Sequence, residues 1–274
     1  MYHNYSRRDF LKISAAATGA GGLMCAPGCK KDVSFAIPAT VMNTLGASSY
    51  ASTMQEYSQS VVTSGANASM VHDSGTRIRA ATEQHMKDQG STSNINGFDW
   101  QFNLINDPTV NAWCMPGARI AFYEGIIPLC QDETGVAAVM GHEVSHAVYN
   151  HAGQRMAQQL ILQLGITTLG AALSKIEGAD PAVLNIALTV FGVGGQLGLL
   201  AYSRKHEYEA DKMGLILMAR AGYDPREAPK FWERMTAQFG GGGSDFFSTH
   251  PSNANRIKEL NDALPEALSH YKPR

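Results

Sequence analysis

The segment GHEVSHAVYNH, residues 141–151, holds three of the chain's nine histidines. Within it His142, Glu143 and His146 stand in an H-E-x-x-H arrangement. On an α-helix, positions i and i+4 lie on one face, about 6 Å apart along the axis, so both imidazoles can reach one ion. Zinc binds imidazole nitrogen at about 2.0–2.1 Å, and a catalytic zinc takes three protein ligands and leaves a fourth position for water. Glu143, next to the first histidine, is placed to take a proton from that water. Gly141 precedes the pair, and Ala138, Val139, Val144 and Ala147 surround it, which sets the motif in an apolar helix.

Two histidines do not complete such a site. The metzincin pattern needs Gly at the third and His at the sixth position after the second His. Here Tyr149 stands at the first of these and His151 falls one residue short of the second. On a continuing helix His151 turns away from the pair, so it is expected to be structural or superficial. Gly165 occupies the place where another zincin arrangement has a glutamate, and between residues 147 and 201 the only acids are Glu177 and Asp180. The next acids come together in SRKHEYEAD, where Glu207 and Asp211 are again i and i+4. Glu207 is the expected third ligand. Asp211 is expected behind it, accepting the free N–H of a ligand histidine. Glu209 points elsewhere on that helix, and His206 is expected at the surface.

The elements that must position these residues can be read from periodicity and turn residues. DVSFAIPATVMNTLG reads as a loose linker, followed by helices near 48–60 and 67–88. Three strand signals come next: GFDWQFNLIND running into Asp107-Pro108, VNAWCM ending at Pro116-Gly117, and RIAFYE. They suggest a small antiparallel meander just before the His-Glu helix, whose start is expected at Asp132-Glu133. Further helices are expected over about 202–221, near 225–239 and after the STHPSN turn. The fold class is therefore α+β and mainly helical. Two apolar runs over 160–202, separated by SKIEGADPA, read as a buried or partly exposed helical hairpin able to touch a membrane, in preference to a membrane-spanning one.

Four blocks in order, NAWCMPGARIAFYEGII, GHEVSHAVYNH, YSRKHEYEADKMGL and STHPSNANRI, together resemble the zinc metalloendopeptidase family M48, which includes the CAAX prenyl proteases. The likeness is greater to its soluble periplasmic and mitochondrial quality-control branch, and covers roughly residues 65–265. The resemblance implies a zincin-type (gluzincin) domain with one Zn2+ on His142, His146 and Glu207 and with Glu143 as base. It also implies that His250, in the Thr-His-Pro block, approaches the metal, to cap it at rest or to steady an oxyanion. Arg256 matches a basic position of the same block and is a second candidate for the oxyanion. The sequence departs from the family at Pro116-Gly117-Ala118, where a second Gly is usual.

Composition bounds the rest. Hydrophobic residues make up 44% and charged residues 17%, which is globular rather than disordered, and a net charge of −2 gives no footing for a nucleic-acid partner. SRRDFLK followed by an Ala/Gly-rich run to Met24 reads as a twin-arginine export signal occupying residues 1–29. Cys29 after Gly28 is a candidate for lipidation, although Ala26 stands where an aliphatic residue is usual. Residues 30–64 are expected to be linker and N-terminal helix, and 65–274 the metallopeptidase domain. Cys114 and Cys130 are expected as free thiols, since the twin-arginine route exports folded proteins from a reducing compartment. Protein or peptide substrates would lie along a strand edge of the 110–123 hairpin by strand addition. Asn111 and Trp113 sit beside that edge, Trp113 expected in the core. Membrane association through Cys29 or the 160–202 runs stays open. So do two other readings: a metal-stabilised chaperone or assembly factor with little proteolysis, and an integral membrane peptidase.

Overall fold

The computed structural model describes residues 36–164, 202–240, 243–251 and 255–273. The expected hairpin over 160–202, the export signal and Cys29 lie largely or wholly outside them. Among the described residues, no helix is long and apolar enough to cross a membrane.

The organising element is the helix that carries the H-E-x-x-H residues, Glu133–Val148. Asp132 caps it, its carboxylate accepting from the amides of Thr134 at 2.8 Å and Gly135 at 3.0 Å. Every residue of this helix except Glu133, Thr134 and Ala147 is buried, as expected of a helix apolar on all sides. Preceding it in chain order are α1 (Ala39–Glu56), β1 (Val61–Val62), α2 (Ala66–Asp88), β2 (Gln101–Ile105), β3 (Ala112–Met115), β4 (Arg119–Tyr123) and the short α3 (Ile127–Cys130). The His-Glu helix is thus α4. After it come α5 (His151–Leu164), α6 (Arg204–Arg220), α7 (Glu227–Phe239), α8 (Asp245–Thr249) and α9 (Arg256–Ser269).

α6 crosses α4 at a glycine-on-glycine contact. A Cβ on Gly214 would fall 3.0 Å from the His142 amide nitrogen, and one on Gly141 would fall 3.0 Å from the Gly214 carbonyl oxygen. The two backbones can meet only because neither residue has a side chain. α2 packs on α4 as well as on α6 and buries Val71, Ile78 and Met86, while Gly75 makes room for the Phe102 ring of β2. One continuous core, including Ile78, Leu104, Phe122, Val136, Phe231 and Phe246, joins the sheet to the helices.

The sheet is mixed, not the antiparallel meander expected from the sequence. Its order is β1-β2-β4-β3, with β2 parallel to β4 and β3 antiparallel to β4. The physical reason lies in β4: Arg119, Ile120, Ala121 and Phe122 are all buried, so this strand takes a place between two neighbours. The chain leaving β2 therefore passes over the end of β4 through residues 106–111. Gly125 permits this crossing, since a Cβ there would lie 2.1 Å from the Pro108 carbonyl oxygen. The tight return between β3 and β4 uses positive φ at Gly117 (87°) and at Ala118 (60°), where the family's usual second glycine would be unstrained.

α1 also departs from expectation, starting at Ala39 inside the stretch read as linker. Pro38 precedes it with φ −51°, a helix-compatible value, and Met42 and Leu45 bury one face. A five-residue helix not expected from the sequence, α8, leads into the STHPSN segment; Ser244 caps it by accepting from the Phe247 amide. Cys114 and Cys130 are both free.

Candidate metal centre

Four residues from three elements converge on one point. α4 supplies His142 and His146, the first turn of α6 supplies Glu207, and the residue ending α8 is His250. Relative exposures run from 1% for Glu207 to 3% for His142. One ligand atom from each of these four residues lies within 4.8 Å of the others. His142 Nε2 is 3.1 Å from His146 Nε2 and 3.5 Å from Glu207 Oε2, and His146 Nε2 is 3.5 Å from Glu207 Oε1. Ligands at zinc distances in a tetrahedron are separated by roughly 3.4 Å. His250 Nδ1 lies 3.1 Å from His142 Nε2 and 3.2 Å from Glu207 Oε1, while its Nε2 is 3.1 Å from Glu143 Oε1.

The contacts behind the two imidazoles bear on which nitrogens face this point as lone pairs. His142 Nδ1 is 2.8 Å from Asp211 Oδ1, so it carries a proton and leaves Nε2 free. His146 Nδ1 is 2.9 Å from a second imidazole, His151 Nδ1. Two imidazole lone pairs and a carboxylate aimed at one buried point repel one another unless a cation sits between them. The donor set therefore fits a divalent metal ion.

Electrostatics separates the members. Burial disfavours protonation of His142, but its hydrogen bond to Asp211 and the charge of Glu207 outweigh it and raise its pKa. His146 goes the other way, burial holding it well below an ordinary histidine. Burial alone would raise Glu207; the Arg256 guanidinium, helped by His250 and His142, instead holds it far below an ordinary carboxylate. Glu143 has its pKa raised by burial, only partly offset by His250 and His142. A carboxylate kept ready to accept a proton suits a general base.

Glu143 and His250 open on a cleft of about 210 Å³. Its lining includes Trp113, Cys114 and Met115 of β3, Thr53, Glu56 and Tyr57, and Tyr202 and Thr249. β3 ends the sheet among the described residues. Trp113 is half-buried and forms the cleft wall, against the expectation of core packing; its ring meets Tyr50 edge-on at 6.0 Å. Asn111 also lines this cleft.

Three other expectations need correction. Arg256 is absent from the cleft lining. It is buried over the Trp232 ring, 3.3 Å from its centroid, with its guanidinium bonded to Asp211 at 2.8 Å and Glu207 at 2.6 Å. Its Nε and Nη2 bond Asp211, and its Nη1 is ion-paired with Glu207, so the contacts it makes are with the carboxylates beside the metal point and not with the cleft. His151 is fully buried and does reach His146, because α4 ends at Val148 and Asn150 adopts φ 51°, breaking the helix on which it would have turned away. His206 is buried too, stacked on His151 with ring centroids 4.4 Å apart. Tyr202 escaped sequence reasoning altogether. It stacks on His146 at 3.7 Å, with the Arg155 guanidinium 3.6 Å from its ring centroid. No motif marks it, since the contact joins residues far apart in the chain.

Residues 76–264 match the profile of peptidase family M48, a span containing every residue from His142 to Arg256 described above. Residues 4–24 match the twin-arginine translocation pathway signal sequence. The chain is 40% identical over 179 residues to the mitochondrial metalloendopeptidase OMA1 of Schizosaccharomyces pombe, covering 65% of this chain and 50% of that protein. It is 35% identical over 200 residues to OMA1 of Arabidopsis thaliana, covering 71% and 38% respectively. To the beta-barrel assembly-enhancing protease of Escherichia coli it is 28% identical over 163 residues, 58% of this chain and 33% of that one. The chain thus spans half or less of the length of these curated relatives.

Proposed function

The chain belongs to peptidase family M48, and on that premise we propose that it is an exported zinc-dependent endopeptidase that cleaves unfolded or misassembled proteins in the cell envelope. The observation that carries this reading is the convergence of His142, His146 and Glu207 on one buried point, with Glu143 beside them on a cleft walled by an edge strand. His142 and His146 through Nε2, and Glu207 through its carboxylate, would hold the ion. When bound, zinc acidifies a water molecule and polarises a carbonyl group.

Glu143 accepts the proton of the attacking water and returns it to the departing amine nitrogen. His250, within 3.1 Å of Glu143, is placed to steady the oxyanion or to close the site at rest. Asp211 and Arg256 position the ligands, Asp211 by fixing the His142 tautomer and Arg256 by keeping Glu207 ionised. A peptide extended beside β3 would be held through its backbone, with Trp113 and Asn111 flanking it. Such binding selects little by side chain, which suits misfolded substrates. The twin-arginine match supports export, and the periplasm as destination is part of the proposal. Quality control is supported by likeness to a relative named for enhancing beta-barrel assembly. Lipidation of Cys29 and a membrane contact by the 160–202 runs would add an anchor to the same activity.

The test is casein cleavage by the purified exported protein, wild type beside Glu143→Gln, with zinc quantified in both. The expected result is equal zinc content and a rate at least about 100-fold lower in the variant. Undiminished cleavage by Glu143→Gln would remove the assigned base.

A further inference from the structure

The two histidine ligands are not supported alike. Behind His142 stands a carboxylate, Asp211, itself held by Arg256. Behind His146 stands an imidazole. His146 presents Nε2 to the metal point, so its Nδ1 carries the proton and needs an acceptor. The atom in place is His151 Nδ1, at 2.9 Å. Two Nδ1–H groups cannot face each other at that distance, so His151 must hold its own proton on Nε2 and be neutral. Its Nε2 meets Glu209 Oε2 at 3.2 Å, an acceptor that selects this tautomer.

The local backbone is shaped to deliver this ring. α4 stops at Val148, and Asn150 takes φ 51°, a conformation that costs a non-glycine residue roughly 1 kcal/mol or more. Asn150 is held there by donating to the Ile37 carbonyl at 2.7 Å. The return brings His151, first residue of α5, back against His146 and away from solvent, with 0% exposure. His206 and Tyr149 then fix the ring plane, each lying 22° from parallel to it.

We propose that His151 and Glu209 act as a positioning pair for the metal ligand His146: His151 accepts the His146 Nδ1 proton, and Glu209 holds His151 in the one tautomer able to do so. This rests on the metalloenzyme reading above, in which His146 is a ligand. Neither residue touches substrate. Their effect is on metal affinity and on the geometry of the His146 ring.

The experiment measures zinc affinity of the exported protein by competition with a chromophoric chelator, and the visible spectrum after cobalt(II) loading. His151→Phe keeps a planar ring but removes the acceptor. Glu209→Leu removes tautomer control at a side chain that is 34% exposed and so little involved in folding. Glu209→Gln leaves an amide oxygen that can still accept. The expected result is zinc binding weakened about 10- to 100-fold in His151→Phe and Glu209→Leu, with an altered cobalt spectrum, and near wild-type behaviour in Glu209→Gln. A folded Glu209→Leu protein with wild-type zinc affinity and an unchanged cobalt spectrum overturns the proposal. Should His151→Phe fail to fold, the Glu209 pair decides alone. Wild-type protein that binds neither metal overturns the metalloenzyme reading and this one with it, whereas wild-type binding with unaffected variants overturns only this one.

Discussion

Two histidines four residues apart on one helix have their pKa values pushed in opposite directions, and the difference is set by what lies behind each ring. His142 gains a proton-stabilising carboxylate in Asp211, while His146 is dominated by burial and backed by neutral His151. Arg256 holds the carboxylate side of the site together. With 1% exposure it pairs both Glu207 and Asp211, so its loss leaves two buried anions facing each other. Arg256→Leu is therefore expected to cost the metal-free protein about 3–5 kcal/mol in urea unfolding. His151 carries a pH dependence of its own. Burial and the neighbouring His206 push its pKa down to about 3 in the fold, against about 6.5 when unfolded. The unfolded state then takes up the proton first, so stability is full above the unfolded value and falls as pH drops from about 6.5 toward the folded value. About 2 kcal/mol should be lost between pH 7 and pH 5 through this group alone. Urea titrations of the metal-free protein at both pH values would check it, with His151→Leu losing that much less over the same interval.

At the scale of elements, the site depends on how closely α4 and α6 approach. Histidines on one helix and a carboxylate on another share an ion only if the two backbones nearly touch, and Gly141 and Gly214 provide that contact. Gly214→Ala places a Cβ 3.0 Å from the His142 amide nitrogen, and helix backbone cannot move aside as a flexible side chain could. The helices must separate, drawing Glu207 away from the histidine pair. The expected outcome is a loss of about 1–3 kcal/mol of stability together with weaker zinc retention, read by thermal unfolding and by metal content after dialysis. The glycine spacing was on view in the sequence, but not its meaning. Gly214 occurs in DKMGLILM, where a helical reading treats it as a tolerated imperfection. Strand order was likewise hidden. Each strand was marked by its own alternation and turns, whereas the place of β4 between β2 and β3 follows from its burial on both faces.

Across the whole molecule, the cleft is lined in part by a segment remote in the chain from α4. Thr53 and Glu56 near the end of α1, and Tyr57 after it, line the cleft together with Trp113 and Glu143, and Gly46 of α1 packs directly on Pro116. The working unit is proposed to begin before Ala39 rather than at residue 65. Deleting residues 1–56 should lower the melting temperature and raise KM for peptides, while deleting 1–29 should change neither; steady-state kinetics on the two shortened proteins would distinguish them. The sequence by itself determined two pairs, His142 with His146 around Glu143 and Glu207 with Asp211, because helical period ties residue spacing to a shared face, whatever the surroundings; that His142, His146 and Glu207 meet at one point is seen in the structure. His250 and Arg256 were legible only through resemblance to a family, since no local period links them to the motif. Tertiary structure alone decided which further groups, beyond Asp211, surround these residues. Arg256 sits beneath Glu207 instead of facing the cleft, Trp113 walls the cleft instead of filling the core, and His151 reaches His146 through a helix break at Asn150. Those outcomes turn on contacts between distant segments and on one residue of left-handed backbone, neither of which leaves a periodic trace in the chain.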